Sequence, residues 1–235
     1  MRYRRVFAFV GLLAMLTARP GPKAADDVPT PADGEWTTLF DGKDLSAWQK
    51  SPTARWAIED GAITLAGRDD GSLNNADYLW TREQYGDFVL ELEFKVCPDY
   101  ANSGVFLRTS DLDDPVYTGI EVQVSNSHGR DGLSRGGTAG AIYDCLAPTK
   151  NLARPAGEWN AYRITCRDNL ITVELNGDEI LKMDLDLWTE TGKNPDGTAN
   201  KFTKPLRDFA RRGCIGLQDH GRPVWYRNIR IKRLD

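Results

Sequence analysis

The stretch Gly213–Ile231, GCIGLQDHGRPVWYRNIRI, carries the pattern that decides the fold. It begins with an apolar run, Ile215–Leu217, and turns through a polar loop that contains Pro223. In the segment that follows, one parity holds Trp225, Ile229 and Ile231 with Arg227 as the exception, and the other holds Asn228, Arg230 and Lys232. A period of two indicates a strand with one buried and one exposed face. We therefore predict a strand, a polar loop and a second strand, with Asp219 and His220 presented at the loop.

The same alternation recurs along the chain and predicts an all-β fold. In Asp87–Val96, apolar residues at even positions alternate with charged ones, and Gly119–Ser125 repeats the pattern. Turn signals such as Asn176-Gly177 punctuate about a dozen short predicted strands, including one at Gly140–Asp144. One or two helical turns are predicted within Phe202–Arg211. This pattern favours a two-sheet antiparallel β-sandwich or jelly roll, and the lack of a blade repeat disfavours a propeller.

Length and charge limit the classes of protein that fit. The chain has 235 residues with 40% hydrophobic and 27% charged content, which suits one large all-β domain or two small ones. Its net charge of -4 argues against a nucleic-acid partner, because phosphate binding needs a basic surface.

The N-terminus has the pattern of a signal peptide, residues 1–25. Arg2, Arg4 and Arg5 form a basic region before the apolar run Val6–Thr17, which is too short to span a membrane comfortably. A small-residue cleavage site lies near Ala24-Ala25, and an uncleaved anchor is the alternative interpretation. We expect export to the periplasm or the extracellular space, without stable membrane insertion after cleavage. Residues 26–34 then form a flexible lead-in, and residues 35–235 a single domain.

The four cysteines lack the spacing of a metal site. They are Cys97, Cys145, Cys166 and Cys214, and no CxxC signature occurs. Cys166 and Cys214 lie in predicted strands, where they are interpreted as buried thiols or as a disulfide.

The candidate site residues lie on the predicted outer face of one sheet. Glu121 and Gln123 are two residues apart, opposite in parity to an apolar face, and Arg108 has the comparable parity on the preceding strand. Such a face forms a groove for a sugar if it is concave. The pair Asp219 and His220 adds a group suited to proton transfer near neutral pH. For each residue a purely structural role is the alternative.

No nucleophile elbow, P-loop, dinucleotide fingerprint or HExxH motif appears in the sequence. The sequence leaves open whether a divalent metal is a cofactor. Suitable oxygen and nitrogen ligands are present in Glu121, Asp144, Asp219 and His220. No spacing requires one. The metal-ligand candidates are Glu121, Asp144 and His220.

Several blocks of sequence resemble one family, in order along the chain. They are LFDGKDLSAW, NSGVFLRT, GIEVQV, GAIYD, PAGEWNAYRITCRDNLITVELNG and GCIGLQDHGRPVWYRNIRIKRL. Together they span Glu35–Leu234 and resemble the 3-keto-disaccharide hydrolases, exported bacterial domains with a concanavalin-like jelly roll. The resemblance implies that fold and a carbohydrate substrate, a 3-keto sugar.

The resemblance also implies an unusual cleavage that depends on a sugar 3-dehydrogenase. That partner oxidises C3 to a ketone, a base removes the C2 proton, the C1 substituent leaves by β-elimination, and water adds. His220 or Glu121 is implied as base or acid, with the two roles left open between them. Asp219 and Gln123 orient groups, and Arg108 or a metal stabilises the enolate. The implied substrate-binding residues are Arg108, Gln123, Asn102, Tyr143 and Trp225. The alternative is a non-catalytic, lectin-like module with platforms at Trp48, Trp80, Trp188 or Trp225, and a structural surface domain is a third interpretation.

Overall fold

A computed structural model describes residues 34–50, 55–65 and 77–235 of the chain. The predicted signal peptide and all but the last residue of the predicted lead-in lie outside these ranges. Within them, the chain folds into two antiparallel sheets. The short helical elements are α1 (Pro115–Thr118) and the 3₁₀ turns Leu185–Leu187 and Leu206–Asp208.

The larger sheet has eight strands in the order β11-β10-β9-β6-β13-β4-β3, with β1 also pairing with β13. Its strands are β1 (Trp36–Phe40), β3 (Trp56–Glu59), β4 (Ala62–Leu65), β6 (Phe88–Val96), β9 (Asn160–Arg167), β10 (Leu170–Leu175), β11 (Asp178–Asp184) and β13 (Val224–Arg233). The smaller sheet has the order β2-β5-β12-β7-β8. Its strands are β2 (Trp48–Lys50), β5 (Asp77–Thr81), β7 (Asn102–Thr109), β8 (Ile120–Ser125) and β12 (Cys214–Asp219).

The predicted all-β sandwich is confirmed, with thirteen strands in the described ranges. The helical turn predicted within Phe202–Arg211 is the single turn Leu206–Asp208. The strand predicted at Gly140–Asp144 is wrong. Ile142 instead forms isolated bridges to Val122 and Leu146, because the chain turns back within three residues.

Alternating side chains from both sheets build the core. Val122 of β8 and Leu217 of β12 face inward from the smaller sheet, and Leu90 of β6 faces inward from the larger one. All four cysteines lie in the described ranges, are buried, and carry unpaired thiols. Of the two interpretations of Cys166 and Cys214, the structure therefore supports buried thiols.

The parity predicted for Trp225 is wrong, because β13 contains a β-bulge. The register with β6 shifts between Arg227 and Arg230, and Asn228 adopts a positive φ of 51°. A bulge adds one residue to one strand, so side chains on its two sides reverse faces. Trp225 therefore does not share the inward face of Ile229. Its ring contacts Lys95 on the outer face of the larger sheet, with 4.6 Å between Nζ and the ring centroid.

The substrate-facing role predicted for Arg108 is also wrong, because β7 contains a second bulge. In β7 an extra residue lies between Phe106 and Thr109 relative to β12, and Arg108 has a φ of 50°. Its guanidinium is 1% exposed and donates to Gly86 O, Asp168 O and Asp87 Oδ1 at 2.7–2.8 Å. Asp168 lies in the turn between β9 and β10, and Gly86 and Asp87 lie in the bend that immediately precedes β6. Arg108 ties the two sheets together and is not presented to a substrate.

Replacing Arg108 tests this structural role. We expect Arg108→Met to lower the free energy of unfolding by about 3 kcal/mol, because two carbonyls lose the Arg108 donor and the Asp87 carboxylate loses its cation and keeps only the Asp168 N–H. Urea unfolding would measure the loss. Arg212→Met is the matched control, since Arg212 pairs with Asp235 at the surface, where ion pairs contribute at most about 1 kcal/mol. Equal effects in both variants would contradict this role for Arg108.

Candidate functional site

The outer face of the smaller sheet carries a row of polar side chains. Gln218 pairs with Tyr78 across the β12–β5 ladder, and Gln123 pairs with Gly104 across the β8–β7 ladder. Gly104 leaves room above the sheet, and the Glu121 carboxylate fills it: a Cβ at position 104 would overlap Glu121 Oε1. The glycine is therefore needed for the carboxylate to lie over the middle of the row.

An aromatic cluster borders this row. Tyr78 and Trp80 stack with centroids 4.8 Å apart, and Phe106 meets both rings edge-on at 5.1 Å and 6.1 Å. Trp80 lies over Gly216, where a Cβ would collide with its ring. Phe106 is the cross-strand partner of Glu121, so the carboxylate lies beside apolar surface.

The central feature of the site is a buried pair, Glu121 and Lys201. Their side chains are 6% and 15% exposed, and Lys201 Nζ lies 3.8 Å from Glu121 Oε2. Burial raises the pKa of Glu121 from 4.5 to about 7, an effect that the charge of Lys201 opposes. Burial lowers the pKa of Lys201, an effect that Glu121 opposes most strongly. Both shifts favour the uncharged forms, and the pKa of Glu121 lies close to neutral pH.

Two aromatic rings and a backbone hydrogen bond position this pair. Lys201 Nζ lies 4.7 Å from the ring centroid of Tyr143 and 5.3 Å from that of Phe202. The Tyr143 N–H donates to Glu121 O at 2.9 Å. Cation–π contacts favour the lysine in this position.

Lys201 belongs to the loop 193–202, and hydrogen bonds of the Asn194 side chain stabilise the conformation of that loop. The buried Asn194 side chain accepts from Trp188 Nε1 and Asn200 Nδ2, and it donates to Asp144 O and to two acceptors within the loop. Arg135 also binds Asp196 and Thr198, joining the loop to the segment that precedes Tyr143. Lys201 therefore projects from a hydrogen-bonded scaffold.

Three buried polar atoms on this face lack a hydrogen-bond partner of normal geometry within the described residues. They are Tyr78 Oη, Gln123 Oε1 and Gln218 Oε1. The orientation of Gln123 is fixed, because its Nε2 donates to Asn102 Oδ1 at 3.0 Å and to Gly136 O at 2.9 Å. Burial raises the pKa of Tyr78 to about 12, so its hydroxyl keeps its proton. Tyr78 and Gln218 also lie close enough for the Gln218 side chain to oppose that rise in pKa. The face thus holds buried polar atoms whose hydrogen bonding is incomplete within the described residues.

The structure brings together some of the residues that the sequence analysis singled out. Glu121, Gln123, Asn102 and Tyr143 lie in one neighbourhood, linked by the contacts described above. The Asp144 carboxylate acts on Lys201 electrostatically, and its backbone oxygen accepts from Asn194. Trp225 and Arg108 lie elsewhere, for the reasons given with the fold.

Asp219 and His220 lie at the end of β12. The buried Asp219 accepts from the Gly221 N–H at 2.7 Å, which shapes the turn. His220 follows the strand, two residues beyond Gln218, and its Nδ1 is buried without a partner among the described residues. No hydrogen bond or ion pair within those residues joins His220 to Glu121.

The residues proposed as metal ligands do not form a cluster. In residues 34–50, 55–65 and 77–235, no three His, Cys, Asp or Glu side chains come close enough to hold an ion. Glu121, Asp144 and His220 are therefore not assembled as a ligand set, and we derive no step through a metal.

Sequence reasoning missed Lys201, Tyr78 and Gln218. Gln218 has a signal, since the alternation of β12 puts it opposite in parity to Ile215 and Leu217. The sequence contains no such signal for Lys201, because its loop shows only turn signals. Lys201 is also 80 positions from Glu121 along the chain.

A groove of about 630 Å³ lies on the larger sheet. Its charged side chains already neutralise one another: Glu91 binds Arg163 and Arg230 at 2.5 Å and 2.6 Å. Satisfied ion pairs leave little for a ligand to gain, so the polar row around Glu121 is the better candidate.

The described ranges contain no helix with the length and apolar character needed to cross a membrane.

Solved structures of known proteins share this architecture. A Parabacteroides distasonis protein, provisionally named a glycosyl hydrolase, is 33% identical with a TM-score of 0.74, over 85% of this chain and all of that one. A Bacillus subtilis protein with a galectin-like fold is 15% identical with a TM-score of 0.52, over 85% and 94% of the two chains, and supports the fold alone. The fold and the 33% identical neighbour define a β-sandwich protein of the glycosyl hydrolase-like class.

Sequence comparison narrows this class to one family. The model of the 3-keto-alpha-glucoside-1,2-lyase-like domain matches residues 35–232. A 3-keto-disaccharide hydrolase of Bacteroides thetaiotaomicron is 30% identical, over 88% of this chain and 81% of its own length. The chain belongs to the 3-keto-disaccharide hydrolase family, as the sequence blocks predicted.

Removing the Asn194 side chain tests the loop scaffold. We expect Asn194→Ala to accelerate amide exchange across residues 193–202 at least tenfold, because about 1.4 kcal/mol of lost local stability produces that change and several hydrogen bonds are lost. Hydrogen–deuterium exchange would measure it. Asn126→Ala is the control, since its side chain makes one surface hydrogen bond, to Pro98 O. Unchanged exchange in the loop would show that Asn194 does not hold it.

The burial of Glu121 also predicts a pH-dependent stability difference. A carboxyl whose pKa rises from 4.5 to about 7 on folding favours the folded state at low pH and loses that contribution as pH rises through 7. Glu121→Gln removes this dependence. Relative to the wild type, the variant should gain up to about 3 kcal/mol between pH 4 and pH 8, by urea unfolding. Glu174→Gln, on the other sheet, controls for loss of a carboxylate, and a variant that gains nothing would contradict the shift.

Proposed function

We propose that this protein cleaves 3-keto-glycosides by elimination and hydration, with Glu121 as the proton-transfer group. The observation that supports this most strongly is the buried Glu121–Lys201 pair beside unpartnered acceptors on an outer sheet face. The curated relative is named for 3-keto-disaccharides, and we extend that substrate class to this chain.

A base with a pKa near the working pH suits the first step. In its ionised form Glu121 removes the C2 proton, which the C3 ketone acidifies, and an enolate forms. The enolate electrons expel the C1 substituent, giving an enone and a free leaving group. Water then adds at C1 with return of a proton to C2, so the net reaction consumes one water.

A positive group must stabilise the enolate oxygen, and Lys201 replaces Arg108 in that role. Lys201 lies 3.8 Å from the proposed base, whereas the Arg108 guanidinium is bound within the sandwich. In a buried site, a hydrogen-bond donor fixed beside the developing oxyanion lowers the barrier without reorganisation of water.

Recognition of the sugar is assigned to the unpartnered atoms. Gln123 Oε1 and Gln218 Oε1 are acceptors, so they suit the donor hydroxyls of a polyol. The cluster of Tyr78, Trp80 and Phe106 offers apolar surface at one end of the row.

His220 is proposed as the acid that protonates the leaving group, with Asp219 setting the turn that holds it. The buried, unpartnered Nδ1 of His220 supports this assignment. A sugar 3-dehydrogenase is proposed as the supplier of the keto substrate, and export to the periplasm or beyond as the location.

Product analysis with a panel of 3-keto-glycosides and their unoxidised parents tests the function. We expect cleavage of the keto forms alone, because only a C3 ketone acidifies the C2 proton. The protein would be assayed with and without chelator, and loss of activity with chelator would require a metal in the mechanism. Cleavage of parent sugars would contradict elimination, and binding without cleavage would favour the lectin-like alternative.

Two substitutions test the assigned proton-transfer groups. Glu121→Gln and His220→Ala should each lower turnover at least about 100-fold, the usual contribution of an acid–base group. Glu174→Gln is the matched control and should retain activity. Normal turnover in Glu121→Gln would exclude Glu121 as the base, and normal turnover in His220→Ala would move the acid role elsewhere.

A further inference from the structure

We propose that the Lys201 amine forms a covalent iminium with the C3 ketone of the substrate, so that it acts as an electron sink and not only as a charge. This inference rests on the proposed function insofar as it takes a keto sugar as the ligand. It assigns a covalent role to Lys201 and a second role to Glu121.

The position of Lys201 suits a nucleophilic amine. Its side chain is largely buried, beside two aromatic rings, and its Nζ is 3.8 Å from the Glu121 carboxylate. Lysines react with carbonyl groups when an apolar setting disfavours their charged form. Burial lowers the pKa of Lys201 here. The loop held by Asn194 fixes the approach of the amine, which a reaction within the site requires.

The charged and titratable groups around Lys201 are compatible with an uncharged amine. Glu121, Cys145 and Asp144 act to raise the pKa of Lys201, and burial outweighs them. The same burial raises the pKa of Glu121 to about 7. Glu121 can therefore hold a proton near neutral pH, which places an acid 3.8 Å from the Lys201 amine.

The steps balance without any oxidant or reductant. The Lys201 nitrogen attacks C3, and one of its two protons passes to the former carbonyl oxygen. Glu121 gives that oxygen a second proton, and it leaves as water to form the iminium. Glu121, now a carboxylate, removes the C2 proton, and the electron pair passes to nitrogen as an enamine. The enamine expels the C1 substituent, which takes up a proton, and leaves a conjugated iminium.

Hydration then restores the protein. One water adds at C1 with a proton at C2, and a second hydrolyses the iminium, which regenerates the ketone and the free amine. One water is released and two are consumed, so the net reaction is hydrolysis. An iminium withdraws electrons more strongly than an ion-paired ketone. It therefore makes the C2 proton, which Glu121 must remove, more acidic.

Reductive trapping tests the inference directly. The wild-type chain would be incubated with a methyl 3-keto-glucoside and sodium cyanoborohydride, and adducts mapped by peptide mass spectrometry. The methyl glycoside has no reducing end until it is cleaved, so an adduct whose mass retains the methyl group must have formed at the C3 ketone. We expect one adduct, at Lys201, and none with the unoxidised parent glycoside.

Lys201→Arg keeps the positive charge but removes the nucleophile, and Lys204→Arg is the matched control on the same segment, where Lys204 lies exposed beside Phe209. We expect Lys201→Arg to lose the adduct and to cleave at least about 100-fold more slowly. Lys204→Arg should keep both, and circular dichroism would confirm that each variant is folded.

The outcomes separate this inference from the proposed function. Cleavage by the wild type without an adduct at Lys201, or normal cleavage by Lys201→Arg, would overturn the covalent role while the proposed function stands. An adduct at Lys201 without cleavage would support the covalent role and overturn the proposed function. Adducts spread over surface lysines, or retained in Lys201→Arg, would overturn the covalent role.

Discussion

The alternation of side chains in the smaller sheet is the constraint on which the rest of the structure depends. Val122 and its neighbours on β8 must face the core, so Glu121 and Gln123 must face outward, and Gly104 on β7 leaves the space that the carboxylate fills. A slip of one residue would bury Glu121 in the core and expose the apolar set. Core packing and site geometry are therefore specified by the same register.

Burial of the Glu121–Lys201 pair has a cost that the surrounding loops offset. Removing two charges from water is unfavourable unless geometry and partners compensate, and here both groups shift toward their neutral forms. The Asn194 scaffold and the Tyr143 ring hold Lys201 in a position that it would not occupy in a flexible loop. The hydrogen bonds of the loop thus hold two proton-binding groups, Glu121 and Lys201, next to each other.

Sequence reasoning succeeds where the physics is local and fails where it is not. Alternation is a property of neighbouring residues, and it predicted the sandwich and the outward pair Glu121 and Gln123. The bulges at Arg108 and Asn228 reverse that parity, and nothing in the local pattern marks them, so Arg108 and Trp225 were placed wrongly. The approach of Lys201 to Glu121 is a tertiary contact between distant segments, which periodicity does not encode.

The two outer faces differ in a way that identifies the site on physical grounds. On the larger sheet, Glu91 is bound by two arginines and Glu93 binds Arg227 at 2.7 Å, so its charges are neutralised within the protein. On the smaller sheet, Gln123 Oε1 is buried and aimed by two hydrogen bonds of its own amide, yet accepts none within the described residues. An unsatisfied buried acceptor costs about 1–3 kcal/mol. A donor group that reaches it recovers that free energy, which is the physical reason for placing the candidate site on this face.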